Sequence, residues 1–256
     1  MNPYIKKLNR IEFLITLACT GRCKHCSEGE HTGCGISINA DAAASLVTKV
    51  AAQFPIQSLM TFGGEPLLHP ETVCAIHRAA KDAGIPKRQL ITNGFFSRDE
   101  RKIRTVSEAL VQSGVNDFLL SADAFHQETI PLEPVKTFAS AVLQAGGAIR
   151  MNPAWLISRD ADNPYNKITH EILAHFTAMG IPEGVGNVIF PSGNALKYLG
   201  EYFDPDNLPV NPYEESPYDV RTISMEPDGS VLNGNMYETD ILELIETYDP
   251  AKVNSL

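Results

Sequence analysis

Short apolar runs alternate with segments of helical period along most of this chain, and that alternation limits the folds open to it. Ile11 to Ala18, Ile56 to Phe62, Gln89 to Thr92, Asp117 to Ser121, Ala148 to Ile157 and Val185 to Phe190 read as strands. Ser37 to Phe54, Glu71 to Ala83, Arg98 or Asp99 to Ser113, Glu133 to Gln144, Asn166 to Met179 and Asn194 to Phe203 read as helices. Asn39 stands where a helix begins, and Gly84, Gly114 and Gly180 stand where helices stop. Each helix returns the chain to a parallel neighbour through a right-handed crossover. The expected fold is α/β, a partial (β/α)6 barrel of the TIM type, whose chemistry would sit at the carboxyl ends of the strands. A doubly wound open sheet is the alternative, although no G-x-G-x-x-G follows the first strand.

The 256 residues can bury a sizeable core, and no apolar stretch approaches the length of a membrane span. The start, Met1 to Lys7, lacks the apolar core of a secretory signal, so a cytoplasmic location is expected. A net charge of −10 argues against nucleic acid as a partner. That charge is concentrated late: residues 201 to 256 hold 13 Asp and Glu against Arg221 and Lys252. The expected division is therefore a barrel over 1–203 and an acidic extension over 204–256. The extension would hold an irregular linker from Asp204 to Pro217 and a short helix from Thr239 to Tyr248. Between them, a hairpin would join Arg221–Met225 to Ser230–Leu232 around Glu226-Pro227-Asp228-Gly229.

Five cysteines, three of them within eight residues, make a poor disulfide framework. Cys19-Thr20-Gly21-Arg22-Cys23-Lys24-His25-Cys26 follows the first apolar run, so its thiols would cluster at one strand's carboxyl end. A four-iron cluster takes one thiolate per iron, and three local cysteines leave one iron open. Zinc is the competing reading, with His25, His31 or Cys34 completing the site. Cys34 could also be a thiol just outside the cluster, whereas Cys74 falls in an amphipathic helix as a small buried hydrophobe. The second predicted strand ends in Gly63-Gly64-Glu65-Pro66, where two glycines would let a ligand approach the backbone. Ser121 and Asp123 close the fourth strand with groups able to bond vicinal hydroxyls or simply to cap the next loop. Arg150 and Asn152 share one face of the fifth, where Arg150 needs an anion, from a ligand or from a barrel carboxylate.

CxxxCxxC followed by GGEP resembles the radical S-adenosylmethionine superfamily. The resemblance implies a [4Fe-4S] cluster on Cys19, Cys23 and Cys26, with S-adenosylmethionine on the open iron. It places His25 near the adenine, Gly63, Gly64, Glu65 and Pro66 at the amino group, and Ser121 and Asp123 at the ribose, with Thr92 and Asn93 able to contribute. Relatives often carry an arginine soon after the fourth-strand serine for the cofactor carboxylate. Phe125 to Thr129 offers none, which leaves the carboxylate contact open, and Arg150 and Asn152 are candidate cofactor-binding residues. His126, just beyond the ribose position, is the candidate catalytic residue, with His69 weaker. The implied reaction is reductive cleavage of S-adenosylmethionine and hydrogen abstraction from a substrate, driven by an electron donor such as flavodoxin or ferredoxin. The late hairpin is similar to SPASM-type extensions, but no cysteine follows Cys74, so no auxiliary cluster is expected. Relatives with that extension often modify peptides, which makes a peptide or amino-acid-derived substrate the expectation. The alternatives are a small metabolite, a non-catalytic iron–sulfur electron carrier, or a zinc-stabilised barrel that binds a ligand.

Overall fold

The structure is a computed structural model that describes residues 2–29 and 35–255. His31 and Cys34 lie outside the described residues. The elements run β1 (Arg10–Leu14), α1 (Ala40–Gln53), β2 (Ser58–Phe62), α2 (Pro70–Asp82), β3 (Lys87–Thr92), α3 (Glu100–Ser113), β4 (Asp117–Leu120), α4 (Ala124–Gln127), α5 (Leu132–Gln144) and β5 (Ile149–Met151). They continue with β6 (Ala154–Trp155), α6 (Pro164–Ala178), β7 (Asn187–Val188), α7 (Gly193–Leu199), β8 (Thr222–Met225), β9 (Ser230–Val231), β10 (Gly234–Asn235) and α8 (Ile241–Thr247).

Local chemistry sets the helix ends. The Asn39 side chain accepts from the Ala42 N–H to start α1, and Asp99 does the same for Arg101 and Lys102 at α3. Gly114 ends α3 at φ 105°, a left-handed conformation that glycine adopts without cost. The apolar faces of α1, α2, α3 and α5 pack on the sheet and on one another, and with it form the principal core.

The sheet is parallel, in the order β5-β4-β3-β2-β1-β8. Beyond β5 the strand breaks at Asn152-Pro153, where the Asn152 N–H still donates to Leu120 O, and resumes as β6, paired in parallel with β7. The Met151–Glu183 bridge joins the two sheets, so β7 takes the sixth place of the expected partial barrel.

The extension folds differently from the expected hairpin. β8 adds in parallel to the free edge of β1, pairing Thr222 with Arg10 and Met225 with Phe13. The Pro-Asp-Gly turn does form, with Gly229 at φ 89° and the Glu226 N–H donating to Ser230 O. The antiparallel hairpin is instead β9 with β10, around Leu232-Asn233. Ile223 and Met225 are fully buried: the alternation that suggested a hairpin strand also suits an edge of the main sheet, and β1 had that edge open.

Within the barrel strands, period two separates core from cavity. Ile11 and Phe13 face the helices, whereas Arg10 and Glu12 line the barrel interior with Met60 and Phe62 of β2, Gln89 and Ile91 of β3, and Leu119 of β4. Among the described residues, no helix is long and apolar enough to cross a membrane.

Candidate active site at the barrel mouth

Cys19, Cys23 and Cys26 follow β1 and line one cavity of about 580 Å³ together with Gly63 and Gly64 after β2, Thr92 and Asn93 at the end of β3, Ser121 after β4 and Asn152 after β5. The volume suits a small organic ligand. Three backbone junctions hold the cysteine loop there. Gly64 N–H donates to Thr16 O at 2.7 Å and Glu65 N–H to Ala18 O at 2.8 Å. On the opposite side, the Asn194 N–H donates to Cys26 O at 2.9 Å and its side-chain amide to Cys23 O at 3.2 Å. Asn93 Nδ2 lies 3.6 Å from Cys19 Sγ, within reach for a sulfur acceptor.

The Gly-Gly pair has a more immediate reason than ligand approach. A Cβ on Gly63 would stand 2.6 Å from Thr16 O, and one on Gly64 2.3 Å from Ala18 O, so this is where the turn after β2 crosses the cysteine loop. Gly193 meets the loop equally closely, its Cβ position 2.4 Å from Ser27 O. Gly193 and Asn194 were not singled out from the sequence. Their signal was the Pro-Ser-Gly-Asn turn after a predicted strand, which by itself reads only as a helix start.

Glu65 is fully buried and its carboxylate is engaged internally. Oε1 accepts from the Leu67 N–H and Thr92 Oγ1, and Oε2 from the Asn93 N–H. Burial pushes it up to about 7, although those three hydrogen bonds favour the charged form. As placed, it ties the β2 turn to the end of β3 instead of facing the cavity. Pro66, itself buried, opens a turn of 3-10 helix, and His69 ends that turn just before α2 without a side-chain capping bond.

Asp123 is likewise turned inward, as the loop cap that the sequence left open beside the ribose reading. Oδ1 accepts from the Phe125 and His126 N–H groups, and Oδ2 accepts from the Ala154 N–H and meets His126 Nδ1 at 2.9 Å. Burial alone would raise this carboxyl, but the adjacent His126 brings it below the usual carboxylate range. The resulting cap forms α4, an element the periodicity did not predict. His126 lines the cavity and stacks edge-on with His25, ring centres 4.8 Å apart, while His25 also packs against Phe125 at 5.1 Å. His25 Nδ1 is buried without a hydrogen-bond partner, and burial first, then the neighbouring His126, lowers this imidazole to about 4.

Arg150 is turned the same way. Its Nε and Nη2 bind both carboxylate oxygens of Asp117, at 3.0 and 3.2 Å, the internal pairing that the sequence left open. The cavity floor is formed instead by Arg10, Glu12 and Gln89. Arg10 donates to Glu12 and, at 3.2 Å, to Gln89 Oε1; Gln89 in turn donates to Asp117 at 2.8 Å. Tyr213 of the linker donates to Asn187 of β7 and closes the side of the cavity. None of these floor residues was singled out from the sequence. The available signal was a polar residue at the edge of an otherwise apolar strand: Arg10 and Glu12 about the start of the first, and Gln89 at the start of the third.

Desolvation pushes the Cys19 thiol up to about 11 and raises Cys23 and Cys26 as well. Three thiols gathered at a cavity rim, with glycine backbone beside them, fit an iron–sulfur cluster with one open position. Cys74 is buried in α2, as expected of a small hydrophobe.

Comparison with known proteins agrees. A family model described as the Radical SAM superfamily matches residues 13–145. A probable GTP 3′,8-cyclase of Methanocaldococcus jannaschii is 25% identical over 123 residues, which are 48% of this chain and 39% of that relative. One from Sulfolobus acidocaldarius is 31% identical over 100 residues, 38% of this chain and 30% of that relative. The chain thus matches less than half the length of these curated relatives. Among solved structures, Streptococcus suis SuiB bound to S-adenosylmethionine superposes on 98% of this chain and 68% of its own, with TM-score 0.61 and 12% identity. The protein anSMEcpe with bound AdoMet covers 94% of this chain and 80% of its own, with TM-score 0.57 and 14% identity. These two likenesses establish the fold, and the family model spans more than half of the sequence, including the cysteine loop and the Gly-Gly-Glu-Pro turn: the chain belongs to the radical SAM superfamily.

Proposed function

We propose that this protein is a radical S-adenosylmethionine enzyme that uses a [4Fe-4S] cluster on Cys19, Cys23 and Cys26 to act on a peptide or amino-acid-derived substrate. The observation that carries the reading is the meeting of three cysteines, the Gly63-Gly64 backbone and a barrel cavity of about 580 Å³ at one end of the sheet. When bound on Cys19, Cys23 and Cys26, such a cluster would supply the electron for reductive cleavage of S-adenosylmethionine, the chemistry needed for hydrogen abstraction from a substrate.

The chain's own part is positioning. Gly63 and Gly64 offer peptide groups to the ammonium, Thr92, Asn93, Ser121 and Asn152 offer polar groups to the sugar and carboxylate, and His25 packs by the adenine. Glu65 and Pro66 hold that turn in place. Asp123 holds the Nδ1 side of His126, leaving Nε2 to hold or move a proton at the cavity wall. Arg10, Glu12 and Gln89 form the polar floor on which substrate groups would rest, and Tyr213 limits water entry from the side. A low-potential donor such as flavodoxin or ferredoxin and a reducing, cytoplasmic compartment belong to the same proposal. So does the division into a barrel over 1–203 and an extension over 204–256.

A peptide substrate is supported by the fold likeness to SuiB bound to its precursor peptide SuiA, which reaches 98% of this chain, and so into the extension, at TM-score 0.62. The cyclase relatives favour a nucleotide, a small-metabolite reading, but they match no more than 123 residues. Among the described residues Arg10 is the only Arg or Lys lining the cavity, and Glu12 engages it, which is poor provision for a triphosphate.

The test is anaerobic reconstitution with iron and sulfide, followed by dithionite and S-adenosylmethionine. The expected products are 5′-deoxyadenosine and methionine, both absent in Cys19→Ala. A reduced cluster with intact S-adenosylmethionine would point to an electron carrier and overturn the reading.

A further inference from the structure

Three potential metal donors meet beside the cysteine loop in a combination that the three-thiolate reading does not use. Cys23, His25 and His126 bring one ligand atom each to within 4.8 Å of one another. Donors around a tetrahedral zinc stand roughly 3–4 Å apart, since the bonds are about 2.0–2.3 Å long, so the widest pair would need to close by roughly 1–2 Å. Two features of the surroundings favour an ion. Asp123 Oδ2 holds His126 Nδ1 at 2.9 Å, the carboxylate–histidine arrangement that fixes an imidazole's tautomer and presents its other nitrogen to a metal. His25 Nδ1 is buried with no hydrogen-bond partner, which in a folded protein calls for an explanation. The His25 and His126 rings are already in contact, and Cys23 is held by its own carbonyl to Asn194.

We propose that Cys23, His25 and His126 form a mononuclear site for a zinc-like divalent ion, occupied when the iron–sulfur cluster is absent and exclusive of it because both need Cys23. One thiolate and two imidazoles suit zinc and its spectroscopic surrogate cobalt, with the fourth position open to water from the cavity. On binding, the Cys23 thiol proton leaves to solvent and no electron moves. The site would make the cluster-free protein a zinc protein, and zinc would have to leave before the cluster could be built.

The inference is tested on the full-length, cluster-free protein under anaerobic conditions with Co²⁺ as the probe. Thiolate-to-cobalt charge transfer and ligand-field bands should saturate at one Co²⁺ per chain and be displaced by one Zn²⁺. His25→Gln and His126→Gln should each weaken Co²⁺ binding by about tenfold or more, and Cys23→Ser should remove the charge-transfer band. Cys19→Ser and Cys26→Ser should leave Co²⁺ affinity unchanged while abolishing cluster uptake. Iron and sulfide uptake retained by the two histidine variants shows that the loop is still folded; if a glutamine variant loses uptake, recovery of Co²⁺ binding by His126→Gly on addition of imidazole decides in its place. Failure of the wild type to bind Co²⁺, failure of that recovery, or dependence on Cys19 and Cys26 as great as on the histidines would overturn the proposal. The Co²⁺ measurements leave S-adenosylmethionine cleavage by the reconstituted enzyme untouched, whereas cluster uptake by the cysteine variants tests the cluster alone, so the two readings fail separately.

Discussion

A charged or polar group taken out of water must find its partners within the fold, and the buried residues of this protein show how far that requirement sets their roles. Glu65 and Asp123 both find their partners among backbone N–H groups and short side chains, and so become brackets for neighbouring turns. His77 on α2 meets the same requirement incompletely. Its Nε2 lies 3.0 Å from Thr61 Oγ1, its Nδ1 has no partner, and burial lowers it to about 3. A buried imidazole kept neutral binds fewer protons folded than unfolded between its folded value and the ordinary 6.5. Its contribution is therefore complete above pH 6.5 and is lost as pH falls toward 3, at about 1.4 kcal/mol per pH unit at most. His77→Gln keeps a group that can bond Thr61 and removes the titration. Urea midpoints between pH 7 and 4 should fall less steeply in this variant than in the wild type. Identity alone marked Glu65, Asp123 and His126 as worth attention, but whether a carboxylate faces a cavity or a helix N-terminus depends on backbone placement that a one-dimensional pattern does not carry.

At the scale of elements, the site is made by turns that cross. The turn after β2 and the start of α7 grip the cysteine loop from opposite sides, each with a glycine at the crossing and backbone hydrogen bonds beside it. Gly64→Ala should therefore act on the loop before it acts on any ligand. Its methyl would meet Ala18 O at 2.3 Å, and relief of that contact should cost about 1–3 kcal/mol and displace Cys19. Iron and sulfide uptake in anaerobic reconstitution should fall sharply, while the far-ultraviolet circular dichroism keeps its helical signature. Normal uptake would show that the loop yields freely. The longer helices were legible because each carries an apolar stripe, reinforced in α1 and α3 by local ends: Asn39 and Asp99 act as N-caps and Gly114 as the stop. The break between β5 and β6 was not, because Ala148 to Ile157 reads as one extended segment and only Pro153 marks the interruption.

Across the whole molecule, the extension is joined to the barrel by backbone pairing. β8 completes the sheet beside β1, α8 packs on α1, and Asn233 in the β9–β10 turn accepts the Asp249 N–H at 2.8 Å. Truncation after Phe203 should strip the edge of β1 and remove Ile223, Met225, Ile241 and Ile245 from the core. Each such side chain contributes roughly 1.5–3 kcal/mol by burial, and together they rival the total stability of an ordinary domain, about 5–15 kcal/mol. The shortened chain should appear in the insoluble fraction and lack a cooperative thermal transition; a soluble, cooperatively folding fragment would show the extension to be dispensable. The α/β class, the parallel order of the first five strands, the helix ends and the three-cysteine loop with its Gly-Gly-Glu-Pro companion were set by features local in sequence: periodicity, caps and short spacings. Folding in three dimensions alone determined that β8 joins β1, that Arg150 turns to Asp117 while Arg10 and Glu12 line the cavity, and that His25 and His126 meet Cys23. Those pairings join residues far apart in the chain, and the choice among competing partners is made by which edge is open and which charge is already satisfied once the sheet has curved.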